Sequence, residues 1–390
     1  MNGKNRFGTA LAALMILSFA ASPGGAAEEA APAAVQAVES RLDLGESSVA
    51  YPRVTGLADT ALEEEINRRI LQDTGILEYQ QRMNRLILSG SIRVAWRGGV
   101  YGDIFSCAVS AEGAVTDSSR DYVWTCSNID LTDGHEIALA ELFTDVRSAA
   151  AAIGAYLEEK VAPELSAHLQ NARVTPLPGR FMITRRGLTL LYDREQWSTL
   201  GDRAADVMIG WNEIQAELNL SEGSVLSRAG VPAFLNLTAE SADALRRMTE
   251  EGAVPDLPVR LGGSVREAVG EWHLLTDPDL YADGRMFALE GGCFRNVFLL
   301  TDRLSESWED SVIDGIRMDE GCLWGLRIGQ TRAEEWRALL GDPVTVEFDE
   351  ERAELHRTVP GTRDYYEWGG HQLRLHADGD GVLVSIQVCE

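Results

Sequence analysis

The sequence has 390 residues, with 61 Asp+Glu against 35 Lys+Arg, a net charge of −26, 45% hydrophobic and 25% charged residues. At about 150 residues per domain this is room for two packed domains, and so ordinary a composition excludes global disorder, a collagen-like repeat and a multi-span membrane protein. The charge excludes nucleic acid as a partner, because a phosphate backbone is bound by neutralising it with Lys and Arg, and it disfavours acidic substrates likewise.

Lys4 and Arg6 precede an apolar run from Phe7 to Ala21, which exits through Ser22, Pro23 and small residues to Ala26 and Ala27. That order reads as a secretory signal peptide over residues 1–27, too short to span a bilayer comfortably. No Cys lies near the expected cleavage site and no later stretch reaches about 18 consecutive apolar residues, so no lipid or transmembrane anchor is expected after cleavage. Cleavage would remove Lys4 and Arg6 and no acid, lowering the net charge by two to −28 and leaving Lys160 as the only lysine. A field of that sign either keeps the chain soluble or steers a cationic partner.

An Ala/Glu/Pro-rich leader over residues 28–45 is expected to be flexible. A short strand around Ser48 to Val54 follows, then a helix from Thr60, in which Leu62, Ile66 and Ile70 recur at helical spacing. Glu63, Glu64 and Glu65 crowd its first turn, where the helix dipole favours them. The helix resumes from Ile76 to Ile87. Ser91 to Trp96, Asp103 to Ser110 and Tyr122 to Leu131 alternate as antiparallel strands. Thr132-Asp133-Gly134 makes a turn, Leu139 to Phe143 starts an amphipathic stretch, and Val146 to Leu169 is a helix with a break at Pro163. Phe181 to Thr184 and Leu188 to Tyr192 form a hairpin, and Val207 to Ile214 closes the unit. A hairpin centred near residue 116 or 117 would place Cys107 opposite Cys126, where a disulfide can close. Cys293 and Cys322 flank another hairpin and form the second candidate disulfide, which leaves Cys389 as the odd thiol. No C-x₂₋₄-C spacing or His pair supports zinc.

Three blocks in this series carry a family resemblance. They are Tyr51-Pro52-x-Val54-x-Gly56-Leu57 with Ile66-Asn67; Asp130-Leu131-Thr132-Asp133-Gly134 with Leu139-x-x-Leu142-Phe143; and Phe181-x-Ile183-x-x-x-Gly187-Leu188 with Trp197, Gly201 and Ile209-x-Trp211-x-x-Ile214. In order and spacing, residues 46–218 resemble the extracytoplasmic domain of RsiV-type anti-sigma factors and some cell-wall deacetylase proteins (domain of unknown function 3298). The family's Tyr and Gly-Gly-Ala-His-Gly run is replaced here by Ser110-Ala111-Glu112-Gly113-Ala114-Val115-Thr116-Asp117. The resemblance implies an α+β domain that recognises an extracellular protein, as the RsiV-type domain binds lysozyme.

Residues 219–257 mix Ser, Gly and Pro with one short helix, Ala239 to Thr249, and read as a linker. Beyond it the sequence repeats itself. Leu261-Gly262-Gly263-Ser264-x-x-Glu267 and Ile328-Gly329-Gln330-Thr331-x-x-Glu334 are one phrase, with Ser264 and Thr331 as helix N-caps and the two Glu as capping-box acids. Phe287 to Gly292 matches Tyr365 to Gly370, and Val312 to Met318 matches Val382 to Val388. Residues 258–327 and 328–390 are therefore two units, each a helix plus an antiparallel meander, that pack as twins. This arrangement is similar to the BamE and β-lactamase-inhibitor class of envelope modules, whose members bind other proteins.

No nucleophile elbow, H-E-x-x-H, P-loop or dinucleotide-binding fingerprint is present, and no cofactor or metal is expected. His371 and His376 are five apart on a strand and face opposite ways. Asp378-Gly379-Asp380-Gly381 reads as a hairpin turn, and His135 as a turn residue. Trp308, Trp324, Trp336, Tyr365, Tyr366 and Trp368 crowd the repeat half. Tyr366 and Trp368, which share one strand face, are core residues or else a binding surface, with Glu63, Glu64 and Glu65 as a second candidate surface. The sequence thus predicts an α+β chain: an N-terminal domain with an antiparallel sheet, then two tandem helix-plus-meander units. The expected function is a secreted or envelope-associated, non-enzymatic binding protein for a cationic, lysozyme-like protein; the alternative is an enzyme or accessory module acting on cell-wall glycan.

Overall fold

The computed structural model describes residues 34–85, 91–116, 119–161, 177–192, 205–257, 259–266, 273–274, 279–282, 284–290, 296–301, 307 and 310–390. The signal peptide, Trp308 and Cys293 lie outside the described residues. The chain is α+β, as its alternating and helical periodicities require.

The first sheet has the order β1 (Gln36–Leu44), β2 (Ser47–Thr55), β3 (Ile92–Tyr101), β4 (Ile104–Thr116), β5 (Ser119–Asp130), antiparallel throughout except for the β2–β3 pair. Residues 36–44 were expected in a flexible leader and instead pair with β2 along their whole length. The parallel β2–β3 pair needs a crossover, which α1 (Thr60–Asp73) and α2 (Ile76–Arg85) supply. Their Ile66, Ile70 and Ile76 are fully buried against Val49, Val94, Phe105 and Val109. Asp59 caps α1 by accepting from the amides of Ala61 and Leu62. The first sequence block is a strand-to-helix clasp: Asn67 accepts from the Val54 amide and donates to the Val54 carbonyl, both at 2.8 Å, while Glu63 accepts from the Leu57 amide at 3.0 Å.

The second layer is β6 (Arg180–Ile183), β7 (Gly187–Tyr192) and β8 (Ala205–Gly210), covered by α3 (Val146–Tyr156). The α-helical part of the expected 146–169 helix ends at Tyr156, passes into a wider turn over 157–161, and leaves the described residues before Pro163. Buried polar groups tie the two sheets together. Ser106 donates to Asn128 Oδ1 and accepts from the Ile183 amide, and Asn128 donates to the Phe181 carbonyl.

Residues 219–257, read as a linker, are instead three helices, α4 (Val225–Arg228), α5 (Val231–Leu235) and α6 (Ala239–Glu251). Val225, Leu226 and Val231 enter the core of the second layer, whereas Phe234, Leu245 and Met248 enter the core of the repeat half. Val35–Glu390 is accordingly one compact unit. The segment's small and polar residues are caps and turns around apolar helix faces, which is why its composition resembles a linker.

The repeat half forms one nine-stranded sheet. Its first meander is β10 (Asp279–Tyr281), β11 (Gly284–Glu290), β12 (Val297–Thr301) and β13 (Ile313–Met318), with β9 (His273–Leu274) beside β11. A small hairpin, β14 (Cys322–Leu323) and β15 (Leu326–Arg327), follows; at its turn Gly325 (φ +81°) runs so close to the chain that a Cβ would sit 2.1 Å from the Leu237 amide. The second meander is β16 (Val344–Phe348), β17 (Gly361–Trp368), β18 (His371–Asp378) and β19 (Leu383–Cys389). The two join through an antiparallel β13–β19 pair, so the strand order is the same read outward from that pair. The repeat extends to individual hydrogen bonds: Gly262 N to Ile313 O (2.9 Å) corresponds to Gly329 N to Leu383 O (2.7 Å), and Val265 N to Ser311 O (3.0 Å) to Ala333 N to Gly381 O (2.9 Å).

The helix of the second unit, α7 (Ala333–Leu340), begins one residue later than expected. Its N-cap is Arg332, whose amide donates to Glu335 at 2.8 Å. Thr331 accepts from the Arg327 amide instead. The short helix α8 (Glu350–Leu355) connects β16 to β17.

Candidate functional site

Strand residues alternate between the two faces of a sheet, and here both faces are covered. One face carries Tyr366, Leu373, Leu375, Ile386, Val388 and Ile316 into the main core beneath α6 and α7. On that face Trp336 is fully buried and donates to Asp364 Oδ2, which Arg337 also engages.

The other face is polar. Arg363 pairs with His376 and His376 with Ser385; in the next row Arg374 pairs with Gln387 and Gln387 with Arg317. Arg363, His376, Ser385, Gln387 and Arg317 are all buried. They are covered by Phe348, α8 and the segment after it. The Phe348 ring lies 4.2 Å from the Arg363 guanidinium carbon and 4.8 Å from that of Arg352, with the His356 and His376 rings at 5.1 and 5.0 Å. Arg317 holds this cover down by donating to Asp319 (2.6 Å) and to the carbonyls of His356 (2.9 Å) and Arg357 (2.7 Å). His376 Nε2 meets the Val359 carbonyl at 2.7 Å. The cover also reaches the opposite edge of the sheet, where the Ala282 amide donates to the Leu355 carbonyl and Tyr281 packs edge-on to His356 at 5.4 Å. Burial, with Arg363 and the neighbouring arginines, pushes the His356 imidazole down to about 4. Burial and Arg363 take His376 to about 4 as well, so both rings are neutral at pH 7.

Outside this cover lies an open groove of about 770 Å³, lined in part by Leu280, Ala282, Asp349, Arg352, Leu355 and Arg357. Leu280 is 64% exposed and Leu355 54%. Glu351 and Glu354 complete the lining, so three carboxylates and two guanidinium groups stand beside the apolar Leu280, Ala282 and Leu355.

The residues singled out in the sequence lie elsewhere. Tyr366 is 5% exposed and donates to the Gly341 carbonyl at 3.2 Å. Trp368 stacks on it at 5.4 Å, beneath Arg246 of α6. Tyr366 belongs to the main core, and Trp368, half-buried, packs against it. Of the α1 acids, Glu63 is spent on the Leu57 amide and Glu65 pairs with Arg68, which leaves Glu64 without a hydrogen bond or ion pair.

Among the described residues Cys107, Cys126, Cys322 and Cys389 are free thiols; Cys293, the expected partner of Cys322, lies outside the described residues. In the β4–β5 register Cys107 pairs with Ser127 and Cys126 with Ala108. An irregularity between Ala114 and Thr116 shifts the hairpin by one residue, which turns the two side chains to opposite faces, where no S–S bond can close. Cys107 is buried with Val109 and Phe105, and Cys126 packs beside Trp124 and Met182.

Asp130, Asp133 and His135 come within 4.8 Å of one another. Asp130 accepts from the amide and hydroxyl of Thr132 on one oxygen and from Arg228 on the other, and Asp133 accepts from the His135 amide. These oxygens are occupied by the turn and by Arg228 of α4. Asp378 likewise accepts from the amides of Asp380 and Val382 as a turn cap. His371 reaches the Thr249 carbonyl of α6, on the face opposite His376. Among the described residues no helix is long and apolar enough to cross a membrane. The sequence carries no direct mark of the buried arginine layer, because Arg363, Ser385 and Gln387 alternate with other residues as the polar side of a half-exposed strand would. The signal available was the length of the β16–β17 connection, enough to cover that side.

No protein-family profile matches the sequence, and no curated protein matches it. Among solved structures, a member of the DUF3298 family from Bacteroides fragilis is 11% identical, covering 48% of this chain and 95% of its own, with a TM-score of 0.37. A DUF3298 family protein from Pseudomonas aeruginosa is 10% identical over 48% and 95%, with a TM-score of 0.35. A DUF4309 family protein from Bacillus subtilis is 12% identical over 39% and 97%, with a TM-score of 0.27. None of the three likenesses assigns a function.

Proposed function

We propose that the chain is a non-enzymatic, extracytoplasmic binding protein that takes a cationic extracellular protein into the groove beside α8. The observation that carries this reading is the pair of exposed leucines, Leu280 and Leu355, in one groove where Asp349, Glu351 and Glu354 outnumber Arg352 and Arg357. Long-range charge favours the same partner. Among the described residues the buried charged side chains are Arg186, Arg317 and Arg363 against Asp130 and Asp364, so burial withdraws cations from the surface of a chain that already carries −26. Such a field raises the association rate of a cationic protein, and the apolar contact slows its release.

Surface plasmon resonance of residues 28–390 against lysozyme, as the cationic probe, tests this at two salt concentrations. Association should be faster at low salt and slow markedly once the Debye length falls to about 8 Å. Glu351→Gln with Glu354→Gln should lower the on-rate, whereas Leu280→Ser with Leu355→Ser should raise the off-rate. Absence of binding at low salt removes lysozyme, and on-rates indifferent to salt for every basic protein tried remove the cationic class.

A further inference from the structure

We propose that Arg363 holds a small monovalent anion, of halide size, inside the polar layer beneath α8. The argument begins with charge. Arg363 is 1% exposed, and all three of its guanidinium nitrogens are buried without an acceptor. The neighbouring cation, Arg317, is also buried, at 3%, but it has the Asp319 carboxylate at 2.6 Å and two backbone carbonyls. One carboxylate therefore faces two buried guanidinium groups. Its hydrogen bond goes to Arg317, which leaves Arg363 without a hydrogen-bonded carboxylate among the described residues.

The other neighbours do not supply one. Phe348 offers its ring face at 4.2 Å, a cation–π contact that falls well short of the cost of an unpaired buried ion. His376 has one ring nitrogen on the Val359 carbonyl and is neutral. Gln387 uses its carbonyl oxygen to accept from Tyr281 at 3.3 Å, and its amide nitrogen has no partner. Ser385 has an unpartnered hydroxyl on the same face. The layer therefore offers an uncompensated positive charge and spare donors. A water molecule could meet the hydrogen bonds but not the charge. Arg363 is 1% exposed, so a ligand at its guanidinium is enclosed by the layer, which favours a halide over the larger phosphate or a carboxylate side chain.

Two measurements on the full chain decide this. Crystals grown in sodium bromide should show an anomalous peak at hydrogen-bonding distance from the Arg363 guanidinium. In solution, Tm in sodium chloride should exceed Tm in sodium gluconate at equal ionic strength by roughly 2–4 °C, and Arg363→Met should abolish that difference. Because Arg363→Met could fail to fold, the bromide experiment on the unaltered protein stands by itself. Only water beside Arg363 in bromide crystals, or a wild-type Tm indifferent to the anion, overturns the proposal.

Discussion

Asp364 accepts four hydrogen bonds from the elements of the second unit, and its replacement tests how that unit is held together. Its side chain is 1% exposed. It accepts from Trp336 Nε1 (2.9 Å), from Arg337 Nε and a terminal nitrogen (2.6 and 2.8 Å) and from the Thr345 hydroxyl (2.6 Å), so one carboxylate joins α7, β16 and β17. Removing one partner of a buried ion pair costs about 3–5 kcal/mol where the remaining charge stays buried. Arg337 is 37% exposed and can rehydrate, so its share is smaller. The buried Trp336 N–H has no such escape and costs about 1–3 kcal/mol when orphaned. Asp364→Ala should therefore lose about 3 kcal/mol, and Asp364→Asn, which keeps one oxygen acceptor, about 1–2 kcal/mol. Urea unfolding at pH 7 followed by tryptophan fluorescence reads both, with an unchanged m-value as the sign that only stability moved. Burial alone would raise the Asp364 carboxyl, but the hydrogen bonds from Arg337, Thr345 and Trp336 outweigh it and hold the group below its ordinary value. A lowered folded pKa stabilises fully above the unfolded value near 4, and that contribution is lost as the pH falls through the folded one. The gap between wild type and Asp364→Asn should thus narrow below pH 4. An Asp364→Ala protein within about 0.5 kcal/mol of wild type would refute the reasoning.

Three further outcomes follow from the packing. Denaturation in alkylating reagent without reductant should label Cys107, Cys126, Cys322 and Cys389 once each, and native protein should resist, because burial raises all four thiols; a Cys107–Cys126 peptide would contradict the β4–β5 register. Tyr366→Ala should destabilise by about 3–5 kcal/mol and Tyr366→Phe by about 1 kcal/mol, and a Tyr366→Ala variant of wild-type stability would return that residue to the surface. Trypsin should spare Arg246 and Arg247 until global unfolding, since α6 is packed between the sheet and its neighbours; early cleavage there would restore the linker.

Local chemistry was legible wherever one residue type has one physical use. The start of α1, the Asp130 to Gly134 turn, the burial of Trp336 and the two matched meanders all follow from caps, turns and apolar spacing. Features set by what lies across from a strand were not. One irregularity at Ala114 to Thr116 reverses the facing of Cys107 and Cys126, and no residue there announces it. Residues 36–44 became a strand because β2 offered them a full-length partner. The polar sides of β17 and β19 alternate as a wet face would, and only the cover beneath α8 makes them interior. Tyr366 is buried and Trp368 half-buried beside α6, a helix from the segment read as linker.

The repeat makes the departure from symmetry informative. Two units with matching hydrogen bonds would give the sheet equivalent outer edges, and the β10–β11 connection is indeed only two residues, Ala282 and Asp283. Its counterpart between β16 and β17 runs from Asp349 to Pro360. Among the described residues the extra length adds none to the main core, and its His356 packs on Phe348 over the opposite, polar face. What it adds is a roof over Arg363 and a bond from Leu355 to Ala282 at the far edge, which sets Leu355 beside Leu280 in the groove. A sheet needing only stability could have kept a short turn and an apolar second face. The inserted helix instead encloses two arginines and exposes a leucine among carboxylates, arrangements that cost free energy in the isolated chain. Both are accounted for when each is matched by something of the opposite character: an anion within the layer, and a cationic, partly apolar surface across the groove.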